Sequence, residues 1–282
     1  MSSANASIEF SLIENQVVVG ILLGGKGPFT SLLDVAVEPS VVDLALAREL
    51  GLRIDEGAPG EAAGLGTAGA TFYPSELPDV QIGEHLVGTI EAVAADLAAL
   101  GAKLGRPLHA ILGQSFFERR VVQFDYERQQ LTLEPSTVEE GFSIPIEGAT
   151  DRTPVVPVSV NGHEVPVVLD TGSSLTLGIY LDAVAGLGLE AARDAATPRT
   201  LTGARGTAHA YEGVVASLAV GDLRLERVPT VFLPRPSGDP ARALGNLGNG
   251  FLRHTILTLD YRRGRLNIRP VNFAAGRASK DV

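Results

Sequence analysis

The sequence predicts an all-β protein with a few short helices, built from two similar halves. Three observations lead to this prediction. Segments rich in aliphatic and β-branched residues alternate with turn signals such as Asn161-Gly162. The 282 residues include 32 Gly and 17 Pro, which is typical of short strands joined by many turns. Landmarks also recur at a constant separation, since Gly113 and Gly248 lie 135 residues apart, as do Asp125 and Asp260.

The repeat divides the chain near its middle. Leu33-Asp34 matches Leu169-Asp170 at a similar separation of 136 residues. We therefore interpret the chain as a tandem duplication, with domains at residues 1–140 and 141–282. The polar and acidic segment 136–141 is the predicted link between them.

Each half is predicted to begin with a strand pair and to continue with a helix. Strands are predicted at residues 17–23, 29–33, 155–160 and 165–169. Helices are predicted at residues 41–50, 89–100 and 179–187. Gly51 and Gly188 end the first and last of these helices, because Gly is the usual residue after a helix C-terminus. Asp125 and Asp260 precede turns and are interpreted as structural turn formers.

Composition excludes several classes of function. The formal net charge of −10 argues against binding to a phosphate backbone, so we expect no nucleic-acid partner. The absence of Cys removes thiol catalysis and disulfides, and the five His show no metal-ligand spacing. The longest apolar stretch, 17–23, is too short for a membrane span. No signal peptide is visible in residues 1–15, which predicts a cytoplasmic chain as it stands, or a periplasmic or envelope protein if it is a trimmed mature form.

One segment carries most of the chemical information. In Asp170-Thr171-Gly172-Ser173, a buried apolar strand delivers a carboxylate to a turn that small residues make compact. The segment resembles the catalytic loop of aspartic peptidases, in particular the bacterial retropepsin-like and pepsin-like group. The resemblance extends over nearly the whole chain, including the apolar-apolar-Gly segment at 111–113 and its counterpart Leu247-Gly248. It implies a bilobal acid-protease fold of two tandem retropepsin-like β-barrel lobes, with a substrate cleft between them.

The resemblance also implies a mechanism. Asp34 and Asp170 would form a carboxylate pair that shares one proton, because two close carboxylates cannot both ionise. The ionised member would activate a water that attacks a peptide bond. The expected partner is then a peptide or protein substrate, and no metal or organic cofactor is needed.

The first loop departs from the family pattern. Val35, Ala36 and Val37 stand where the second loop has Thr171, Gly172 and Ser173. In the family, the Thr side chains lock the two loops together and the Ser hydroxyl binds the outer carboxylate oxygen. The first loop lacks both hydroxyls, so we expect Asp34 to have the higher pKa and to act as the acid, with Asp170 as the base.

This departure leaves three hypotheses open. In the first, both carboxylates act within one chain, and the enzyme is an active endopeptidase. In the second, the first lobe has decayed and the protein is a non-catalytic peptide-binding pseudopeptidase. In the third, second lobes of two chains pair with each other. A monomer is expected, and a homodimer is the alternative.

The family covers its cleft with a flexible hairpin, the flap. Two glycine pairs, 137 residues apart, are candidates for flap tips, and a Tyr follows each pair. The candidate flap and substrate-binding residues are Gly66, Gly69, Tyr73, Gly203, Gly206 and Tyr211.

Overall fold

The structure is a computed structural model that describes residues 7–61, 64–66, 71–136, 141–145 and 153–271. These residues are mostly β-strand with five short helices, which confirms the predicted all-β class. Within the same ranges, no helix has the length and apolar character needed to cross a membrane.

The first half contributes eleven strands and three helices to the described residues. They are β1 (Ser7–Glu9), β2 (Ser11–Ile13), β3 (Gln16–Leu23), β4 (Lys26–Leu33), β5 (Ser40–Asp43), α1 (Leu44–Leu50), β6 (Gly60–Glu61), β7 (Thr71–Ile82), β8 (His85–Ala95), α2 (Ala98–Leu104), β9 (Ala110–Leu112), α3 (Gln114–Phe117), β10 (Val121–Asp125) and β11 (Gln130–Leu133).

The second half contributes ten strands and two helices to the described residues. They are β12 (Phe142–Pro145), β13 (Val155–Val160), β14 (His163–Leu169), β15 (Leu177–Tyr180), α4 (Glu190–Asp194), β16 (Thr197–Gly203), β17 (Gly206–Val220), β18 (Leu223–Leu233), β19 (Gly245–Leu247), α5 (Asn249–Leu252), β20 (Thr255–Asp260) and β21 (Arg265–Pro270).

The two halves form sheets with the same strand order. The first sheet is ordered β2-β3-β4-β9-β5-β8-β7-β6, and the second is ordered β13-β14-β19-β15-β18-β17-β16. Apart from β2, every strand of the first sheet has a counterpart at the same place in the second. Each sheet also has an equivalent extra pairing, β3 with β7 and β13 with β17. The two-lobed organisation expected from the repeat is therefore confirmed.

A third sheet joins the two halves. Its order is β1-β11-β10-β20-β21-β12, with three strands from each half and an antiparallel β10–β20 pairing at the centre. The largest cluster of buried apolar side chains likewise contains residues of both halves, among them Leu33, Phe124, Leu169 and Leu257. The domain boundary at residue 140 stays a prediction, because residues 137–140 lie outside the described ranges.

Several turns form as their residues predict. Asn161 and Gly162, with φ angles of 52° and 88°, close the two-residue turn between β13 and β14. Both central residues of such a turn need positive φ, which Asn and Gly adopt most easily. Asp125 and Asp260 each accept hydrogen bonds from the backbone and side chain of the Arg three residues later, as expected of structural turn formers.

The helix predictions were wrong in part. Residues 41–43 belong to strand β5, and helix α1 begins only after Asp43, whose carboxylate accepts a hydrogen bond from Leu46 N. The helix predicted at 179–187 does not form, because residues 179–180 belong to strand β15, between β18 and β19, and residues 181–187 form turns. Residues 89–95 belong to strand β8, in which Ile90, Ala92 and Ala94 are buried in alternation. Strand pairing, which the β-branched and aromatic residues of these stretches favour, decides their structure against the helical pattern.

Candidate active site

Two equivalent strands deliver the two predicted aspartates. Strand β4 runs parallel to β9, and β14 runs parallel to β19. Immediately after these strands, Asp34 N donates to Leu112 O and Asp170 N donates to Leu247 O, both at 3.0 Å. The same local structure therefore presents both carboxyl groups, one from each lobe.

A single threonine links the two aspartate loops. Thr171 is fully buried, and its hydroxyl donates to Leu33 O at 2.8 Å while it accepts from Val35 N at 3.0 Å. Val35 occupies the equivalent place in the first loop and has no hydroxyl to return these bonds. A symmetric interlock would have one threonine bonding across from each loop, and here only the second loop provides one.

Two buried amide side chains support the loops from below. Gln114 Nε2 donates to Val35 O at 2.9 Å, and Asn249 Nδ2 donates to Thr171 O at 2.6 Å. Gln114 directly follows Gly113 and Asn249 directly follows Gly248, so the two amides lie at matching positions of the repeat. Sequence analysis did not select them, although their equal spacing was a usable signal.

Two tyrosines form hydrogen bonds between the lobes, each with one of these amides. Tyr126 of the first half donates its hydroxyl to Asn249 Oδ1 at 2.8 Å. Gln114 of the first half donates to the Tyr261 hydroxyl of the second half, also at 2.8 Å. Because each bond joins a loop-supporting amide to the opposite lobe, the two aspartate loops are held in a fixed relative position.

The structure brings Asp34 and Asp170 together at Gly172. A Cβ atom on Gly172 would lie 1.9 Å from Asp34 Oδ2, so the Asp34 carboxyl occupies the space that a side chain would need. Gly172 N also donates to Asp170 Oδ1 at 3.1 Å, while Ala36 N donates to Asp34 Oδ1 at 2.9 Å. Both carboxyl groups therefore contact the same glycine.

The two carboxyl groups differ in acidity. Burial and then the charge of Asp170 raise the pKa of Asp34 to about 8, against hydrogen bonds from the backbone of Ala36 and Gly172. Burial raises the pKa of Asp170 only to about 6, because the Asn246 side chain and two backbone N–H groups stabilise its charged form. The order agrees with the expectation drawn from the loop sequences.

Asn246 is the polar side chain that distinguishes the second aspartate. Its Nδ2 donates to Asp170 Oδ2 at 3.0 Å. The matching position of the first half is Ile111, which has no hydrogen-bonding group. Sequence analysis treated 246–248 only as the counterpart of 111–113. The replacement of an apolar residue by Asn within that segment was the available signal.

Ser173 does not use its hydroxyl as the family resemblance implied. In the described part of the chain, Ser173 Oγ accepts from Leu175 N at 3.3 Å. Ser173 stabilises the Asp170 carboxylate through its backbone N–H and not through its hydroxyl. The outer oxygen that the hydroxyl was expected to bind is bound by Asn246 instead.

Three of the candidate flap residues, Gly66, Gly203 and Gly206, lie in two segments that contact each other. Gly203 and Gly206 pair at the tip of the β16–β17 hairpin. Against this tip lies the first-half segment 64–66, where Leu65 O accepts from Arg205 N at 2.9 Å. A Cβ on Gly66 would lie 2.2 Å from Arg205 O, so the contact depends on glycine.

The remaining flap candidates are less informative. Gly69 lies outside the described residues. Tyr73 is a half-buried residue of β7 paired with Ala94, and Tyr211 packs partly buried against the main core. Their role in substrate binding stays a prediction.

A third carboxyl group lies near the aspartate pair. Asp239, in the connection between β18 and β19, accepts a hydrogen bond from the buried Tyr180 hydroxyl, and its charge raises the pKa of both Asp170 and Asp34. Burial raises the pKa of Asp239 itself. Asp239 was not predicted from the sequence, because the matching connection of the first half contains helix α2 instead of a similar loop.

Comparison with known proteins identifies the family. A family model described as aspartyl protease matches the chain twice, at residues 19–116 and 156–252, which together make up more than half of its length. Each match contains one of the two aspartate loops. A search of curated proteins finds no match. The chain belongs to the aspartyl protease family.

Proposed function

We propose that this protein is an aspartic endopeptidase that hydrolyses peptide bonds with a water activated between Asp34 and Asp170. The observation that carries the proposal is the meeting of both carboxyl groups at Gly172 within a single chain. Membership of the aspartyl protease family supports a proteolytic function in general.

The unequal support of the two carboxyls favours Asp170 as the base and Asp34 as the acid. Asp170 takes a proton from the water as its oxygen attacks the carbonyl carbon of the substrate. Asp34 gives its proton to the carbonyl oxygen, which forms a tetrahedral diol. The proton on Asp170 then passes to the departing nitrogen as the C–N bond breaks, and Asp34 recovers its proton as the carbonyl re-forms. Both carboxyls end in their starting states.

This assignment predicts a near-neutral pH range for activity. The active form needs Asp170 ionised, which requires a pH above about 6, and Asp34 protonated, which requires a pH below about 8. We expect kcat/KM to rise through the first value and to fall through the second. A profile active only below pH 5 would contradict the assignment.

We place the substrate in a cleft between lobes at residues 1–140 and 141–282. The contact of segment 64–66 with the β16–β17 tip supports a covering role for both segments, because two loops that meet through backbone atoms can separate to admit a peptide. Thr171, Gly172 and Ser173 would support the catalytic pair.

One observation favours the alternative of a peptide-binding pseudopeptidase. The first loop lacks hydroxyls at Val35 and Val37, so the interlock rests on Thr171 alone. The pairing of second lobes between two chains receives no such support, because Asp34 of the same chain already contacts Gly172.

The test is cleavage of a diverse peptide mixture, read by mass spectrometry from about pH 3 to 9. Wild type is compared with Asp34→Asn, Asp170→Asn and the control Asp222→Asn, which changes an exposed aspartate in the β17–β18 turn. We expect wild type and the control to cut, and both site variants to lose at least about 100-fold of kcat/KM. Cleavage by Asp34→Asn at the wild-type rate would refute the intrachain pair. Binding of peptides without cleavage by the folded wild type would favour the pseudopeptidase.

A further inference from the structure

The buried amide of Asn246 lies on a central strand, at a position where an apolar residue is expected. Strand β19 lies between β14 and β15, with Asn246 opposite Val168 on one side and Gly178 on the other. The residue is only 7% exposed. A central strand covered in this way is normally apolar, because buried polar groups are unfavourable unless hydrogen-bonded.

The first lobe shows the apolar form of the same position. Ile111 on β9 lies opposite Leu32 on β4 and Val41 on β5, in the register that Asn246 has with Val168 and Gly178. The same packing site is therefore filled by Ile and Val in one lobe and by Asn and Gly in the other.

Gly178 makes room for the amide. A Cβ atom on Gly178 would lie 1.9 Å from Asn246 Oδ1, which neither residue could accommodate without moving. Among the described residues, Asn246 Oδ1 has no hydrogen-bond partner. An unpartnered buried carbonyl is unfavourable for folding, so packing does not explain the Asn–Gly pair.

The other end of the amide does have a partner. Nδ2 donates to Asp170 Oδ2, while Gly172 N donates to Oδ1, so both oxygens of this carboxylate are bound. An N–H group can only donate, and it therefore favours the ionised carboxylate over the protonated one. Asp34 Oδ2 receives no side-chain hydrogen bond in the described part of the chain and faces Gly172.

We propose that Asn246 is a positioning residue that holds Asp170 ionised and oriented as the base, and that Gly178 serves to admit it. The role in proteolysis rests on the proposed function, whereas the effect on Asp170 does not. Asn246 therefore makes the two aspartates differ in hydrogen bonding even apart from the residues of the loops themselves, because its counterpart Ile111 cannot donate to Asp34.

Other titratable groups surround Asp170 and stay unchanged when Asn246 is replaced. Asp239 from the β18–β19 connection opposes its ionisation, while Asp34 from the first loop and Tyr180 from β15 lie near it. Lys103 from α2 of the first lobe favours the charge. A shift caused by Asn246→Leu is therefore assignable to the lost amide.

The test compares the pH profile of kcat/KM in wild type, Asn246→Leu and Gln123→Leu. The control Gln123→Leu removes a partly buried amide that donates to the Thr258 hydroxyl. This pair lies in the six-stranded sheet shared by the two halves, away from the aspartate loops. We expect Asn246→Leu to move the acidic limb upward by about one pH unit or more, with the basic limb unchanged. Gln123→Leu should leave both limbs in place. An unmoved acidic limb in Asn246→Leu would overturn the proposal.

A second readout is independent of activity. Carbon-13 NMR titration of labelled aspartates, assigned with Asp34→Asn and Asp170→Asn, reports the ionisation of Asp170 directly. We expect the Asp170 titration to move upward in Asn246→Leu even if wild type proves inactive, which would refute the proposed function and leave this inference standing. Should Asn246→Leu not fold, Asn246→Ile with Gly178→Val reproduces the Ile–Val pair that fills this site in the first lobe. Failure of both variants to fold would show a structural role and overturn the proposal.

Discussion

The two aspartate loops follow equivalent strands, in sheets of the same strand order, yet they are held differently. The second loop has Thr171 in the interlock and Asn246 on its carboxylate. The first loop has Val35 and Ile111 at the matching places and relies on backbone N–H groups. The frame that positions the carboxyls is thus symmetric, and the groups that set their charge are not.

Under the proposed function, this difference would make one aspartate of a repeated fold the acid and the other the base. Two identical loops would give two carboxyls with equal support, and the choice of the ionised member would be left to the substrate. Burial and the charge of Asp170 raise the pKa of Asp34, whereas the Asn246 hydrogen bond limits the rise at Asp170, so the two pKa values differ before any substrate binds. The loss of hydroxyls from the first loop is then compatible with activity, since the neutral acid needs fewer donors than the base.

The largest expected effect comes from adding one methyl group to the second loop. In Gly172→Ala the new Cβ would lie 1.9 Å from Asp34 Oδ2 and would force the two carboxyls apart. We expect kcat/KM to fall by about 100-fold or more, because small displacements of reacting groups have effects of that size. The measurement is steady-state cleavage of a peptide identified in the library screen.

Ala36→Gly is the matched control in the first loop. It removes a methyl group at the equivalent position, and we expect activity close to wild type with about 0.4–1 kcal/mol lower stability, because Gly loses more entropy on folding. Equal losses of activity in the two variants would show that the loops contribute alike and would contradict the comparison.

A smaller effect concerns stability against pH. The folded-state pKa of Asp34 lies above its ordinary value of 3.8, so folding favours its protonated form. The stability that this provides is complete below about pH 4 and is lost as the pH rises toward about 8. Asn does not titrate. Asp34→Asn should therefore melt several degrees above wild type at pH 8, with the difference shrinking at pH 4.

Asp170→Asn sharpens this test. The pKa of Asp170 is raised only to about 6. The melting temperature of Asp170→Asn should therefore exceed that of wild type by less, and the difference should reach its full size at a lower pH. The measurement is the melting temperature from pH 4 to 9, with Asp222→Asn as the exposed control. A larger gain in Asp170→Asn than in Asp34→Asn would reverse the order of the two carboxyls.

Much of this arrangement could be predicted from the sequence, because it repeats. The matched positions of Asp34 and Asp170 predicted two equivalent loops, and the Asn161-Gly162 turn predicted its hairpin. The helix predicted at 89–100 was wrong over residues 89–95, because these residues belong to strand β8, which pairs with its hairpin neighbour β7 and with β5, a strand far from it in sequence. Asn246 was missed for a related reason. Its importance follows from its contact with Asp170, 76 positions away, and an alignment of the halves shows only an apolar residue replaced by a polar one.

The smallest expected effect would restore the missing half of the interlock. Val35 is fully buried and nearly isosteric with Thr, so Val35→Thr places a second hydroxyl at the junction of the loops. If the loops are as symmetric in backbone as the strand pairings indicate, this hydroxyl can bond the second loop as Thr171 now bonds Leu33 and Val35. We expect a gain of about 1 kcal/mol in the free energy of unfolding, measured by urea denaturation.

The comparison with Thr171→Val decides what that gain means. Removing the existing hydroxyl breaks two buried hydrogen bonds and should lower stability by about 1–3 kcal/mol. In the double variant, Val35→Thr should recover part of this loss, since the interlock would then run from the first loop to the second. A loss of stability in Val35→Thr alone would mean that its hydroxyl is buried without a partner. The first loop would then have diverged in backbone as well as in side chains. The two halves would have the same backbone structure only up to the aspartates, and not in the loop residues that follow them.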